Sequence, residues 1–143
     1  MTDLNHPFTA PPDFELVQRG GAFFAHLAPV YKRVDGDTIV LGLTIGPQHA
    51  NAHGNAHGGM LMTLADGALH DTVIRTLDPA TTQIVTVNMS SDFLSAARTG
   101  DWLEAHTEVH RQGRTLSFAE CLLKVGDRRV LRASATFAHV AKR

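Results

Sequence analysis

Residues Asn51 to His70 read NAHGNAHGGMLMTLADGALH. A polar, glycine-rich loop runs straight into an apolar segment, which predicts a helix from about Gly58 to Leu77, broken by Asp78-Pro79. From Met60 to Leu69 the only polar side chains are Thr63 and Asp66. A helix apolar nearly all round is expected to be enclosed by the rest of its fold. Asp66 is therefore expected among hydrophobes, on the face it shares at helical spacing with Met62, Leu69 and Val73. A buried carboxylate without a partner is costly, and apolar surroundings are one way a carboxyl is tuned for acid–base or nucleophilic work near neutral pH. Two readings stay open on this pattern: a reactive carboxylate, or a buried Asp satisfied by caps or a partner arginine.

Outward from this helix the chain is mostly strand. On its N-terminal side Ile39, Leu41, Leu43 and Ile45 recur at every second position, the period of a half-buried strand. Val30 to Val34 is expected to pair with it through a hairpin marked by Asp35-Gly36. The segment from Pro12 to about His26 is expected to open as a helix, weakened at Gly20-Gly21 and ended by Pro29. Met1 to Pro12, with Pro7, Pro11 and Pro12, reads as a loosely held arm. On the C-terminal side Gln83 to Phe93, Trp102 to His110, Leu116 to Val125 and Val130 to Val140 read as strands joined by short turns, hence antiparallel. In the first of these, Val85, Val87 and Met89 are expected on one side and Thr86 and Asn88 on the other. One long apolar helix beside five or six strands predicts an α+β fold, with an antiparallel sheet curled around the helix.

The chain has 143 residues, and a domain of that size buries roughly two thirds of its unfolded surface. One domain over residues 13–143, preceded by the arm, is expected. An apolar fraction of 43% with a formal charge of −1 describes an ordinary globule and argues for neither nucleic acid nor an anionic membrane as partner. Cys121 is the only cysteine, so an internal disulfide and a CxxC motif are excluded. The opening residues are polar and proline-broken, and no apolar run approaches a bilayer span, so the expected location is the cytoplasm. Nine histidines raise a metal reading, above all His49, His53 and His57 at four-residue spacing. Gly54, Gly58 and Gly59 place that run in a loop, and neither a Glu-x-x-His nor a cysteine partner accompanies it, so no metal cofactor is expected.

Asn51 followed by His57-Gly58-Gly59, Leu64-Ala65-Asp66, Thr86-Val87-Asn88-Met89, the run Asp92 to Asp101 and Arg111-Gln112-Gly113-Arg114-Thr115 occur in one order. In these the chain, from about Phe14 to Val140, resembles the hotdog-fold acyl-CoA thioesterases, in the branch that includes phenylacetate-pathway thioesterases. The resemblance implies hydrolysis of an aryl or medium-chain acyl-CoA without metal or redox cofactor; a non-catalytic acyl-CoA-binding protein on the same fold is the alternative. It implies Asp66 as base or nucleophile and Gly58 as backbone oxyanion donor at the helix N-terminus. Asn51 would orient the thioester or water, and Thr86 would hold the water. His57, Gly59, His70, Phe93 and His139 join the substrate-binding set. Arg111, Gly113, Arg114 and Thr115 form a basic turn suited to the phosphates of coenzyme A. His70, four residues after Asp66, departs from the family's small or hydroxyl residue and is expected to pack or to modulate the carboxylate. A site at a dimer interface is implied, in a homodimer or a dimer-of-dimers homotetramer, so that Asp66 and Gly58 facing one thioester belong to different subunits.

Overall fold

The computed structural model describes residues 10–18 and 20–143, so positions 1–9 of the expected arm lie outside the described residues. In chain order the elements are β1 (Glu15–Leu16), α1 (Gly21–Phe24), β2 (Tyr31–Asp35), β3 (Thr38–Thr44), α2 (Gly58–Arg75), β4 (Thr82–Phe93), β5 (Trp102–Gln112), β6 (Leu116–Val125) and β7 (Arg128–Ala141). The strands form one sheet in the order β1-β2-β3-β5-β6-β7-β4, and every neighbouring pair is antiparallel. The chain crosses from β3 to the far edge at β4 through α2, which lies across one face of the sheet. This is the expected α+β architecture with seven strands rather than five or six.

The additional strand overturns the helix expected from Pro12. Glu15 and Leu16 pair with Lys32 and Tyr31 instead, and Phe14 is held edge-on against Trp102 at 5.3 Å. Trp102 can take that place because a Cβ on Gly42 would fall 2.4 Å from its ring. Helix begins only at Gly21, after Gly20 with φ +134°, and is one turn long. Sequence periodicity over Phe14 and Val17 was too short to outweigh a sheet edge in need of a partner.

Helix α2 is anchored at both ends. His57 caps its start, Nδ1 accepting from the Gly59 N–H at 2.9 Å. At its other end Gln112 of β5 donates to the Val73 carbonyl at 3.3 Å and accepts from the Thr76 hydroxyl at 2.9 Å. Gln112 faces inward because β5 carries a bulge between Val109 and Arg111. Leu61, Leu64, Ala65, Ala68, Leu69, Thr72 and Val73 are buried against the sheet, where Leu41, Leu43, Leu103, Leu123, Leu131 and Phe137 complete the core. Thr72 is fully buried, and its hydroxyl is satisfied by the N–H and carbonyl of Ile39 at 3.1 and 3.3 Å. The opposite face of α2 is not enclosed by the described residues. Leu69 and Val73, expected beside Asp66, belong to the sheet-facing side, whereas Met62 lies with Asp66 on the open side.

A second bulge, between Thr86 and Asn88, corrects the alternation expected for β4. Thr86 pairs with the buried Phe137 and Met89 with the buried Ala135, so both face the helix, together with Ile84. Val85 and Val87 are exposed. The extra residue shifts the period-two pattern by one, and all side chains beyond it change faces.

His49 is 2% exposed and ends the one-turn 3-10 helix Pro47–His49. Its Nδ1 accepts from the Gly46 N–H at 3.0 Å, so Nε2 carries the proton donated to the Leu27 carbonyl at 2.9 Å. Burial pushes its pKa below the ordinary histidine value, the Leu27 bond opposing this more weakly. The unfolded chain thus takes up a proton that the fold refuses, and stability falls as pH drops through the unfolded value, about 6.5. The ceiling is about 1.4 kcal/mol per pH unit. Urea unfolding at pH 7.5 and 5.5 should show wild type losing more stability on acidification than His49→Gln; equal losses would remove His49 as the cause.

Candidate active site

Asp66 is at the middle of α2, half-buried, on the open face. The Thr86 hydroxyl donates to its Oδ1 at 3.0 Å, a bond across from the edge strand, where Thr86 shares the helix-facing side with Ile84 just ahead of the bulge. The bond fixes the carboxylate's orientation, and Asp66 lines a cleft of about 1150 Å³. The cleft has apolar walls from Phe24, Ile39, Met62, Ile74 and Met89. His70 also lines it, but its ring is exposed and turned to Asp71, 3.5 Å away, rather than bonded to Asp66 or packed in the core. Expecting Asp66 among hydrophobes is met on the cleft side alone.

Asn51, His57, Gly58, Gly59 and Phe93 gather at the N-terminus of α2. Asn51 Oδ1 accepts from the N–H groups of His53 and Asn55 at 2.9 and 3.2 Å, shaping the loop and leaving its amide N–H groups for another partner. The His57 N–H is held by the His49 carbonyl at 2.8 Å, which fixes the approach to the helix. Gly58 is the first helical residue, and its N–H meets no acceptor among the described residues. A helix N-terminus with such a free donor is suited to a developing negative charge. The exposed Phe93 ring covers this end, 3.1 Å from where a Gly58 Cβ would stand.

The basic turn lies at the other end of the helix. Gly113 closes the β5–β6 hairpin, its N–H donating to the Leu116 carbonyl at 2.7 Å, and Arg111, Arg114 and Thr115 are exposed. His139 braces the turn. Its Nδ1–H donates to the Arg114 carbonyl at 3.0 Å and Nε2 accepts from the Ser117 hydroxyl at 2.7 Å. Because α2 has 18 residues, its two ends are about 27 Å apart at 1.5 Å per residue.

Within one chain, then, Asp66 and Thr86 are brought together, and the Gly58 group and the Arg111–His139 group are each assembled but apart. His49, His53 and His57 do not converge, since His49 and His57 spend their Nδ1 atoms on backbone N–H groups; no cluster of metal-ligating side chains occurs among the described residues. Cys121 is buried, and burial pushes its thiol up to about 12, so it supplies no thiolate. Sequence reasoning missed Phe24, which packs on Gly67 next to Asp66. The one signal for it was a glycine in the interior of a helix.

A sheet wrapped over one long helix, with a carboxylate at mid-helix and a free N–H at its start, is the hotdog fold of the thioesterases. The family model of the thioesterase superfamily matches residues 53–132, and the chain belongs to this superfamily; it is a thioester hydrolase. It is 38% identical over 128 residues to a candidate esterase of Pseudomonas aeruginosa, covering 89% of this chain and 95% of that one. Acyl-coenzyme A thioesterase 13 of Homo sapiens is 30% identical over 80 residues, 56% of each chain. A hypothetical thioesterase of Streptococcus pneumoniae, solved with coenzyme A, superposes with a TM-score of 0.74 at 26% identity, over 83% of this chain and 91% of that one.

Removing the Thr86 hydroxyl should free the carboxylate without disturbing the core, because the residue lies on an edge strand. Thr86→Val is expected to lower kcat for thioester hydrolysis roughly 10- to 100-fold, the worth of a hydrogen bond to a charged group. Unchanged kcat with an unchanged melting temperature would show that the bond is idle.

Proposed function

We propose that this protein hydrolyses acyl-coenzyme A thioesters to free acid and coenzyme A, without metal or redox cofactor. Residues 13–143 act as one thioesterase domain, and the proposed location is the cytoplasm. The observation that carries this reading is Asp66, oriented by Thr86, facing an apolar cleft. The apolar walls suit an acyl group. Arg111 and Arg114 suit phosphates, and the coenzyme A bound to the pneumococcal relative fits that assignment.

In the proposed reaction Asp66 either takes a proton from a water that adds to the thioester carbonyl, or adds to that carbonyl itself to give an anhydride that water then opens. In both routes the carbon–sulfur bond breaks, and the coenzyme A thiolate leaves and is protonated. The negative charge that develops on the carbonyl oxygen needs a donor about 3 Å away. Gly58 of the same chain cannot be that donor. It precedes Asp66 by eight positions on one rigid helix, about 12 Å along the axis. Gly58 of a second copy can, and the open face of α2 together with the outer edge of β4, unpaired among the described residues, offers the surface for it. We therefore read the working unit as a homodimer, or a homotetramer built from two such dimers. Asn51 and His57 set the Gly58 loop, and Phe93, Gly59 and His70 border the substrate.

Asp66→Asn should abolish turnover of acyl-CoA while preserving the fold. Gly58→Pro removes the proposed donor at the first helical position, where proline is tolerated, and should cost roughly 100- to 1,000-fold. Co-expressed as a mixed dimer, the two variants leave one of two shared sites intact, and activity should return to near half. Two inactive variants that stay inactive when mixed would sink the shared site, and an active Asp66→Asn would sink the role of the carboxylate. Single-turnover hydrolysis in labelled water tests the anhydride route, because water that opens the anhydride at the Asp66 carbonyl leaves label in Asp66, whereas direct attack of water on the thioester leaves none.

A further inference from the structure

Gly67 directly follows the reactive carboxylate, inside α2. A Cβ built on it would lie 2.5 Å from Phe24 Cε2 and 3.0 Å from Cζ, and the three atoms nearest that position all belong to Phe24. A glycine inside a helix is less favourable than alanine, and here its absent side chain is what lets an aromatic ring lie on the helix backbone. The segment that carries Phe24 separates two cavities. One is the cleft at Asp66, of about 1150 Å³. The other, of about 400 Å³, lies behind α1 against Ala22, Ala25, Ala28 and Val30. Val17, Gln18, Gly20 and Phe24 line both, so they form the partition between them.

We propose that Phe24 is the residue that sets acyl length. Its ring, seated on Gly67, ends the cleft beside the scissile carbonyl and shuts off the apolar cavity behind α1, so short acyl groups fit and long chains do not. This rests on the reading that an acyl group occupies the Asp66 cleft. Phe24 takes no part in the Thr86–Asp66 hydrogen bond, so shortening it changes the space for substrate rather than the chemistry.

The test compares kcat/KM for hexanoyl-CoA and dodecanoyl-CoA in wild type, Phe24→Leu and Phe24→Ala. Taking the ratio within one preparation cancels any difference in the fraction folded. Wild type should favour the shorter substrate. Phe24→Ala should raise the dodecanoyl-to-hexanoyl ratio about tenfold or more, the scale on which a hydrophobic pocket discriminates chain length, with Phe24→Leu between. A wild type indifferent to length, or a ratio unmoved in Phe24→Ala, overturns the proposal while leaving thioesterase activity standing. A wild type inactive on every acyl-CoA overturns the proposed function and this inference with it.

Discussion

The sheet can cover only one side of α2, and the helix is apolar on more than one. Seven of its residues, from Leu61 to Val73, are buried by the strands. Met62, Asp66, Gly67, His70 and Ile74 are left on a cleft that the described residues do not close. This division decides the character of the carboxylate. On the sheet side Asp66 would be sealed in a dry core beside Leu69 and Val73 and would need a partner to remain charged. On the open side it keeps access to water and substrate, and one hydroxyl suffices to orient it.

Two bulges convert a regular sheet into a support for that helix. The one after Thr86 turns Met89 onto the face that Ile84 and Thr86 already share, so that Met89 joins the cleft wall beside the Thr86–Asp66 bond while Val85 and Val87 stay outside. The one after Val109 brings Gln112 under the last turn of α2, where it answers a carbonyl that the helix cannot satisfy itself. Without these shifts Met89 and Gln112 would point away from the helix. The site is thus positioned by register as much as by residue identity.

This explains which features could be read from the sequence. The helix start at Gly58 and the strand Leu116–Val125 follow from local patterns of polarity and turn residues, and the structure has them; the same patterns single out Asp66 as the one carboxylate of an otherwise apolar stretch. The bulge at Val87 has no local mark, because Val-Thr-Val-Asn-Met fits unbroken alternation as well as a broken one. The pairing of Glu15 and Leu16 depends on β2, and the seat of Phe24 depends on a glycine more than forty positions away. His49 illustrates the same limit. Its spacing with His53 and His57 suggests metal, whereas its ring is committed to Gly46 and Leu27, contacts that no spacing rule encodes.

A rigid helix also limits what one chain can do alone. The carboxylate at its middle and the free N–H at its start are held at a fixed separation, and no loop motion can bring them to one carbonyl. A catalytic unit that uses both must therefore be completed from outside the chain. Under the proposed function, the surface that receives a second copy would be the same apolar cleft wall that would hold the acyl group, so substrate and partner would cover the open face of α2 together. Under the shared-site reading, assembly and catalysis are then linked by mass action: whatever binds the assembled cleft favours the assembled state. The incomplete enclosure of α2 is thus a stability cost in the single chain and the means by which two chains can make one site.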